Sequence, residues 1–354
     1  MAPQETDANG VLFEHDAETE DVALAKMPVQ QAGDEKWDTH YEWHIIFLLP
    51  VVYIGGLYGG YLFLVSATWQ TKIFTIFLYL TSVLSITAGA HRLWSHKAYK
   101  AKWPLQLILM IFQTNTLQYS VINWVRDHRM HHKYADTDAD PHNSTRGFFF
   151  SHIGWVTMGK HPEFERKSMG LDISDVEANA ILQFQRKYYV ILATIIGFIL
   201  PTVIPVYFWN ETWIIAMLVP GLFHRFCMYN ATGLVNSACH KWGYKPYDKN
   251  MVATEISFLT PLILGENYHN YHHAFPWDYK TSELGGGSFM LTTAFINFFA
   301  RIGWAYDLKT ISDDVIQKRV MRTGDGSHQI WGWGDKDQTK EEVAAAVRIY
   351  PKDD

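Results

Sequence analysis

Nine of the 17 histidines fall into a pattern that can do metal chemistry. His128, His131 and His132 form one His-x-x-His-His triad, and His269, His272 and His273 form a second. His91 and His96 make a box five residues apart, and His240 stands alone after Asn236-Ser-Ala-Cys. On a helix, positions i, i+3 and i+4 leave from one side, so each triad can aim three imidazoles into one region. The box at 91 and 96 is offset by about 140° on a straight helix, which predicts that one of the two sits where that helix frays. Neutral imidazole suits iron, copper, nickel and zinc. Nine such donors exceed what one ion takes, so two ions are the natural count. Hydrolytic two-metal sites bring bridging carboxylates, whereas an all-imidazole set at a membrane suits oxygen chemistry. The other histidines, among them His142, His152, His161 and His224, read as ordinary surface or hydrogen-bonded residues.

The elements that must carry these groups are apolar. Of 354 residues, 48% are hydrophobic and 15% aromatic, with 14 Trp. The runs 45–67, 73–90, 188–209 and 213–231 are each long enough to cross a bilayer. The second runs straight into His91. Residues 105–117 are apolar but too short to cross, so they read as an interfacial or re-entrant helix. Pro201 and Pro205 in the third run are tolerated in a membrane helix. The spans thus form two hairpins, and all nine histidines fall on one side. That side carries Arg92, Lys97, Lys100, Lys102, Arg126, Arg129 and Lys133, while the opposite loops hold only Lys72. The positive-inside rule makes the histidine side cytosolic, with both termini on it. Residues 1–40 are acidic, lack a signal-peptide pattern and read as a disordered cytosolic tail. The formal net charge of −6 points away from nucleic acid. Two cysteines, Cys227 and Cys239, give no disulfide framework.

At its motifs the chain resembles the stearoyl-CoA desaturase family of endoplasmic-reticulum acyl-CoA desaturases. The strings are Thr87-Ala-Gly-Ala-His-Arg-Leu-Trp-Ser-His96, Trp124-Val-Arg-Asp-His128 through Asp140-Pro-His-Asn143, and Arg146-Gly-Phe-Phe-Phe-Ser-His-Ile-Gly-Trp155. Gly265-Glu-Asn-Tyr-His-Asn-Tyr-His-His273 and Arg322-Thr-Gly-Asp-Gly326 complete them. The likeness runs from about residue 41 to 327, and the overall look is similar to insect members, moth pheromone-gland ones among them. Residues 328–354, with Trp331-Gly-Trp-Gly334, are left as a cytosolic C-terminal tail.

The resemblance implies an all-α integral membrane fold. Four transmembrane helices in two hairpins lie under a cytosolic helical cap, built from 91–187 and 236–327, that holds two irons. It implies His91, His96, His128, His132 and His273 on one iron. His131, His240, His269 and His272 fall to the other, with Asn236 acting through water. It further implies a fatty acyl-CoA substrate, O₂ as co-substrate, and electrons from cytochrome b5 and its NADH-dependent reductase. Arg126, Asp127 and Lys160 match positions that hold the CoA head group. Gln118, Trp124, Trp155 and Thr232 match the kinked acyl tunnel, and Tyr79 matches its closed end.

Three positions depart from the family pattern. Tyr119 replaces an Asn, Gly233 replaces a bulky aromatic on the tunnel wall, and Gly159 stands where a basic residue usually precedes Lys160. A missing ring at 233 is expected to open space near the bend, and a Trp there to shift the product. The usual reaction at carbons nine and ten is therefore in question, with altered position or diene formation of the pheromone type expected instead. A membrane diiron hydroxylase could use the same histidines but would insert oxygen. A metal transporter would place histidines within the spans, and a zinc metalloprotease would need a His-Glu-x-x-His that is missing from this sequence.

Overall fold

The computed structural model describes residues 40–283, 290–328 and 339–346. The acidic stretch 1–39 and the Trp331–Trp333 segment lie outside them. Four helices are long and apolar enough to cross a membrane: α1 (Trp43–Val65), α2 (Trp69–Ser95), α6 (Tyr189–Trp209) and α7 (Trp213–His240). Between the hairpins run α3 (Trp103–Asn115), α4 (Val121–Lys133) and α5 (Phe148–His152). After them come α8 (His269–Ala274), α9 (Leu291–Arg301) and α10 (Asp313–Thr323). A two-stranded antiparallel ribbon pairs β1 (Lys100–Ala101) with β2 (Ala305–Tyr306).

The spans turn large apolar side chains outward. Phe47, Ile54 and Leu64 of α1 and Val190 and Tyr207 of α6 are exposed, as lipid-facing residues are. Their inner faces pack through small residues. At Gly56 a Cβ would lie 2.5 Å from Phe226 Cβ, and at Gly59 2.2 Å from the Leu218 carbonyl oxygen. Only glycine lets α1 approach α7 this closely, which is how helices gain contact where lipid offers no hydrophobic drive. Helix α3 has 13 residues and is about 20 Å long, too short to cross, as its sequence indicates.

Helices α2 and α7 outrun their apolar stretches. The sequence places their ends near residues 90 and 231, but the helices continue to Ser95 and His240. In α2 the reason is a π-helical segment, Ser85–Ser95, buried throughout. The His96 N–H donates to the His91 carbonyl at 3.1 Å, an i to i+5 bond. Residues five apart therefore share a face, and His96 stands as the cap just past the last helical residue, Ser95, which is the helix-end position expected for one of the two. Further π segments, Ala193–Ile199 and Met217–Phe223, sit next to Pro201 or around Pro220, where the helical ladder is interrupted.

The two hairpin turns are clasped by one side chain. Glu211, 5% exposed, accepts from the Thr68 N–H at 3.0 Å, from the Thr68 hydroxyl at 2.8 Å and from the Thr71 hydroxyl at 2.7 Å. The Trp209 indole donates to the Thr71 oxygen at 2.8 Å. These bonds hold the Glu211 carboxyl below the usual carboxylate range despite burial, so it stays charged. Glu211→Ala removes the acceptor of one buried and two part-buried donors and is expected to cost about 1–3 kcal/mol. Thermal unfolding in detergent should show a midpoint several degrees lower, and an unchanged midpoint would exclude the clasp.

Candidate metal centre and adjoining cavity

The nine histidines come from four helices: the end of α2, the length of α4, the end of α7, and α8. Their ring nitrogens converge in two groups. His91, His96, His128, His132 and His272 form one, and His131, His240, His269 and His273 the other, with donor atoms within 4.8 Å of one another in each. This corrects the expected division in one respect: His272 and His273 exchange places. Helical geometry gives the reason. Residues four apart on a helix differ by only about 40°, whereas a residue three along lies about 60° to the other side. Each triad therefore sends its outer pair to one group and its middle histidine to the other. His128 and His132 part from His131, and His269 and His273 part from His272. The same rule can be read from the spacing alone.

The groups fit metal ions better than they fit hydrogen bonds. Nε2 atoms stand 2.9 Å apart in His91–His272, 2.8 Å in His96–His128 and 2.9 Å in His272–His132. In the second group His240–His269 is 2.9 Å and His269–His273 is 3.1 Å. Donors about 3 Å apart are the edges of a coordination polyhedron with bonds of about 2.1 Å. A neutral imidazole has one N–H. In three rings that proton is held on the far nitrogen by a carboxylate. His131 Nδ1 lies 2.8 Å from Asp140, His240 Nδ1 3.1 Å from Asp136, and His91 Nδ1 2.9 Å from Glu266. Their Nε2 lone pairs then face inward, where only a cation relieves the crowding.

Electrostatics agrees. Burial, and then the neighbouring imidazoles, push His96, His128, His132, His269, His272 and His273 well below 6.5. All six are neutral at physiological pH. Burial also acts on His131, but Asp140 beside it more than offsets this and raises it. Burial opposes ionisation of Glu266, yet Arg92 and then His91 bring it down to about 2. Arg92 holds that carboxylate at 2.6 Å. Sequence reasoning overlooked Asp136, Asp140 and Glu266, although each lies within eight residues of a histidine triad and is buried or partly buried. It also set aside His142, whose ring centroid lies 4.4 Å from that of His131 and which approaches Asp140 at 3.4 Å.

Two cavities adjoin the centre. The larger, about 320 Å³, is bordered by Gln118, Tyr119, Trp124, Asp127, Trp155 and Thr232, and Gly233 and Asn236 complete its wall beside the histidines. The smaller, about 60 Å³, shares Trp124, Thr232 and Asn236 and continues between α2 and α7 past Val83 and Met228. Trp124 stacks on His128 at 4.8 Å. The Gln118 amide donates to the Thr232 hydroxyl at 2.9 Å, spanning the junction. Asp127 ties Lys160 at 2.6 Å and Arg126 at 3.3 Å, with the Lys160 ammonium 4.7 Å from the Trp155 ring centroid. Tyr79 borders neither cavity, since its hydroxyl is drawn instead to the Leu262 carbonyl at 2.6 Å.

Two of the departing positions look different in three dimensions. Tyr119 has φ +61°, a left-handed backbone that a bulky residue adopts at a cost and Asn adopts readily. Gly233 borders the larger cavity, and its missing Cβ would point at α5. A Cβ there would lie 2.6 Å from the His152 carbonyl oxygen and 3.0 Å from the imidazole. A side chain at 233 would therefore meet the backbone and ring of His152, so a Trp there requires α5 to shift.

The fold and site define a membrane-spanning, histidine-rich metalloprotein with an apolar cavity against its metal centre. The fatty acid desaturase family matches residues 67–284. An acyl-CoA Delta-9 desaturase of Acheta domesticus is 51% identical over 98% of both chains. An acyl-CoA Delta(11) desaturase of Trichoplusia ni is 51% identical over 85% of this chain and 86% of its own. An (11Z)-hexadec-11-enoyl-CoA conjugase of Bombyx mori is 52% identical over 81% and 88%. The chain belongs to the fatty acid desaturase family, among its acyl-CoA desaturases.

Two outcomes follow from the centre. Asp140→Asn or Glu266→Gln removes a carboxylate that orients a ring, and metal retained through purification should weaken about 10- to 100-fold. Retention equal to the parent protein would refute the orienting role. The lowered imidazoles also fix the sign of a pH effect. Below 6.5 the unfolded chain binds protons that the folded chain refuses, so stability present above 6.5 is lost as pH falls toward the folded values. The melting temperature of the metal-free protein should therefore fall between about pH 7 and about pH 5. A flat profile would contradict neutral buried rings.

Proposed function

We propose that this acyl-CoA desaturase binds two Fe²⁺ ions on the nine histidines, with Asn236 reaching the second through water. It introduces a double bond into a long-chain fatty acyl-CoA using O₂ and two electrons passed from an NADH-dependent reductase through cytochrome b5. It works in the endoplasmic reticulum membrane with the histidine cap and both termini in the cytosol. The double bond falls away from carbons nine and ten, as a Delta-11 or conjugated-diene product of the pheromone type. The observation that carries this reading is two all-imidazole groups beside a pair of adjoining cavities, the larger bordered by His128 and by Asp127, which in turn holds Lys160 and Arg126.

When bound, the irons supply the oxidising power that an unactivated methylene requires. The chain's own residues do the rest. Arg126 and Lys160, now tied to Asp127, offer cationic donors suited to the phosphates of CoA. Trp155 gives the head-group end an aromatic face. Trp124, fixed against His128, presents a flat apolar surface that excludes water from the chain beside the centre. Thr232 and Gln118 close across the junction of the cavities, so a chain passing from one to the other bends there. Asp136, Asp140 and Glu266 keep the imidazoles in one tautomer and orientation.

Expression in a desaturase-deficient yeast, with double bonds located by mass spectrometry, tests the reading. A mono- or di-unsaturated chain is expected, with the bond away from carbons nine and ten. A hydroxylated chain without an alkene would replace desaturase by hydroxylase. His131→Ala and His272→Ala should each abolish product while the protein remains in the membrane, and full activity in either would refute the ligand assignment.

A further inference from the structure

We infer that His152, delivered by α5 and laid over the bare backbone of Gly233, is the specificity wall of the cavity and determines which methylenes of the acyl chain face the metal centre. The inference rests on the acyl-CoA desaturase reading and adds to it a residue from an element that carries no candidate ligand.

The contact is built from both sides. Asn230, Gly233 and Ser237 share one side of α7 at spacings of three and four. His152 Nδ1 lies 2.9 Å from the Ser237 hydroxyl and Nε2 3.1 Å from Asn230 Oδ1. The Asn230 amide is oriented by its own NH₂, which donates to the Phe226 carbonyl at 2.7 Å. Its oxygen therefore faces the imidazole and accepts from Nε2–H, while the Ser237 hydroxyl, which stands 2.7 Å from the Gly233 carbonyl, shares its single proton between that carbonyl and Nδ1. Phe148 stacks on the ring at 5.2 Å and 17°. The imidazole is thus held at both nitrogens and on one face. It begins 3.0 Å from where a side chain on residue 233 would start.

His152 borders the larger cavity together with Thr232, Gly233 and Asn236. Ser237, its anchor, lies three residues before His240, so the wall stands one helical turn from the candidate centre. A chain lying in this cavity cannot slide sideways without meeting that ring. In a wall this close, a change worth one methylene alters preference about ten-fold or more. Position 233 bears on the same wall: a Cβ there would start 2.6 Å from the His152 carbonyl oxygen and 3.0 Å from its ring, so any side chain at 233 presses on the histidine.

The test compares positional isomers made in desaturase-deficient yeast by the full-length protein and by His152→Ala, His152→Phe and His152→Asn. The ratio of isomers is read, since it is independent of how much protein accumulates. His152→Ala should change the ratio of the two most abundant isomers about ten-fold. His152→Phe, which keeps a ring without the polar anchors, should stay near the parent ratio. Should the alanine variant not accumulate, His152→Asn, which is shorter and can keep one bond to α7, must show the shift in the same direction. The parent ratio from the alanine or, failing it, the asparagine variant would overturn the proposal, as would less product at an unchanged ratio, the mark of a purely structural role. Absence of any double bond with the parent protein would count against the desaturase reading instead.

Discussion

Everything in this molecule answers to the cost of burying neutral imidazoles with their lone pairs pointed at one another. Donor nitrogens 2.8–3.1 Å apart repel unless cations sit between them, and burial denies the rings the escape of taking up protons. The arrangement persists because carboxylates stand behind it. Asp140, Asp136 and Glu266 hold His131, His240 and His91 from outside, and Arg92 compensates the charge of the last. A centre built this way must be held by rigid elements on every side, because any ring that turns away leaves an uncompensated charge or an unpaired donor in a dry interior.

The helices meet that demand by departures from regularity. The widened turns of α2 bring His91 and His96 onto one face, and the length of α7 carries His240 beyond the apolar zone to meet α8. Glycines let α1 press against α7, and Glu211 fixes the far ends of both hairpins. Polar groups on the inner face of α7, from Asn230 to Ser237, serve the cavity and its wall rather than lipid. The same helix thus supplies a candidate ligand, the junction of two cavities and the seat for His152. A shift along its axis would disturb all three together.

Much of this was legible in the sequence, and the reasons are local. Four apolar runs of sufficient length, a short fifth that cannot cross, and repeated His-x-x-His-His triads are read directly from period and length. They predicted the four spans and the gathered histidines. Even the exchange of His272 and His273 follows from the 3.6-residue period, though assignment by resemblance alone missed it. The carboxylates behind the rings were less legible. Asp140 and Glu266 sit in plain view beside the triads, but an acidic residue near a histidine is common, and only burial shows which ones work.

The amino-acid sequence by itself determined the histidine constellation, the membrane spans and the class of chemistry, because each depends on residue type at a fixed interval along one helix. The tertiary structure alone decided which triad's outer pair joins the other triad's middle histidine, and which group His91, His96 and His240 enter, since that depends on how α2, α4, α7 and α8 face one another. It alone decided the cavity wall as well. Gly233 reads in the sequence as a missing ring; the structure places it on the cavity wall and sets His152, some eighty residues away in the chain, with its carbonyl oxygen 2.6 Å from where a Cβ would stand. Sequence registers what a position lacks; packing at near-crystalline density decides what stands against it.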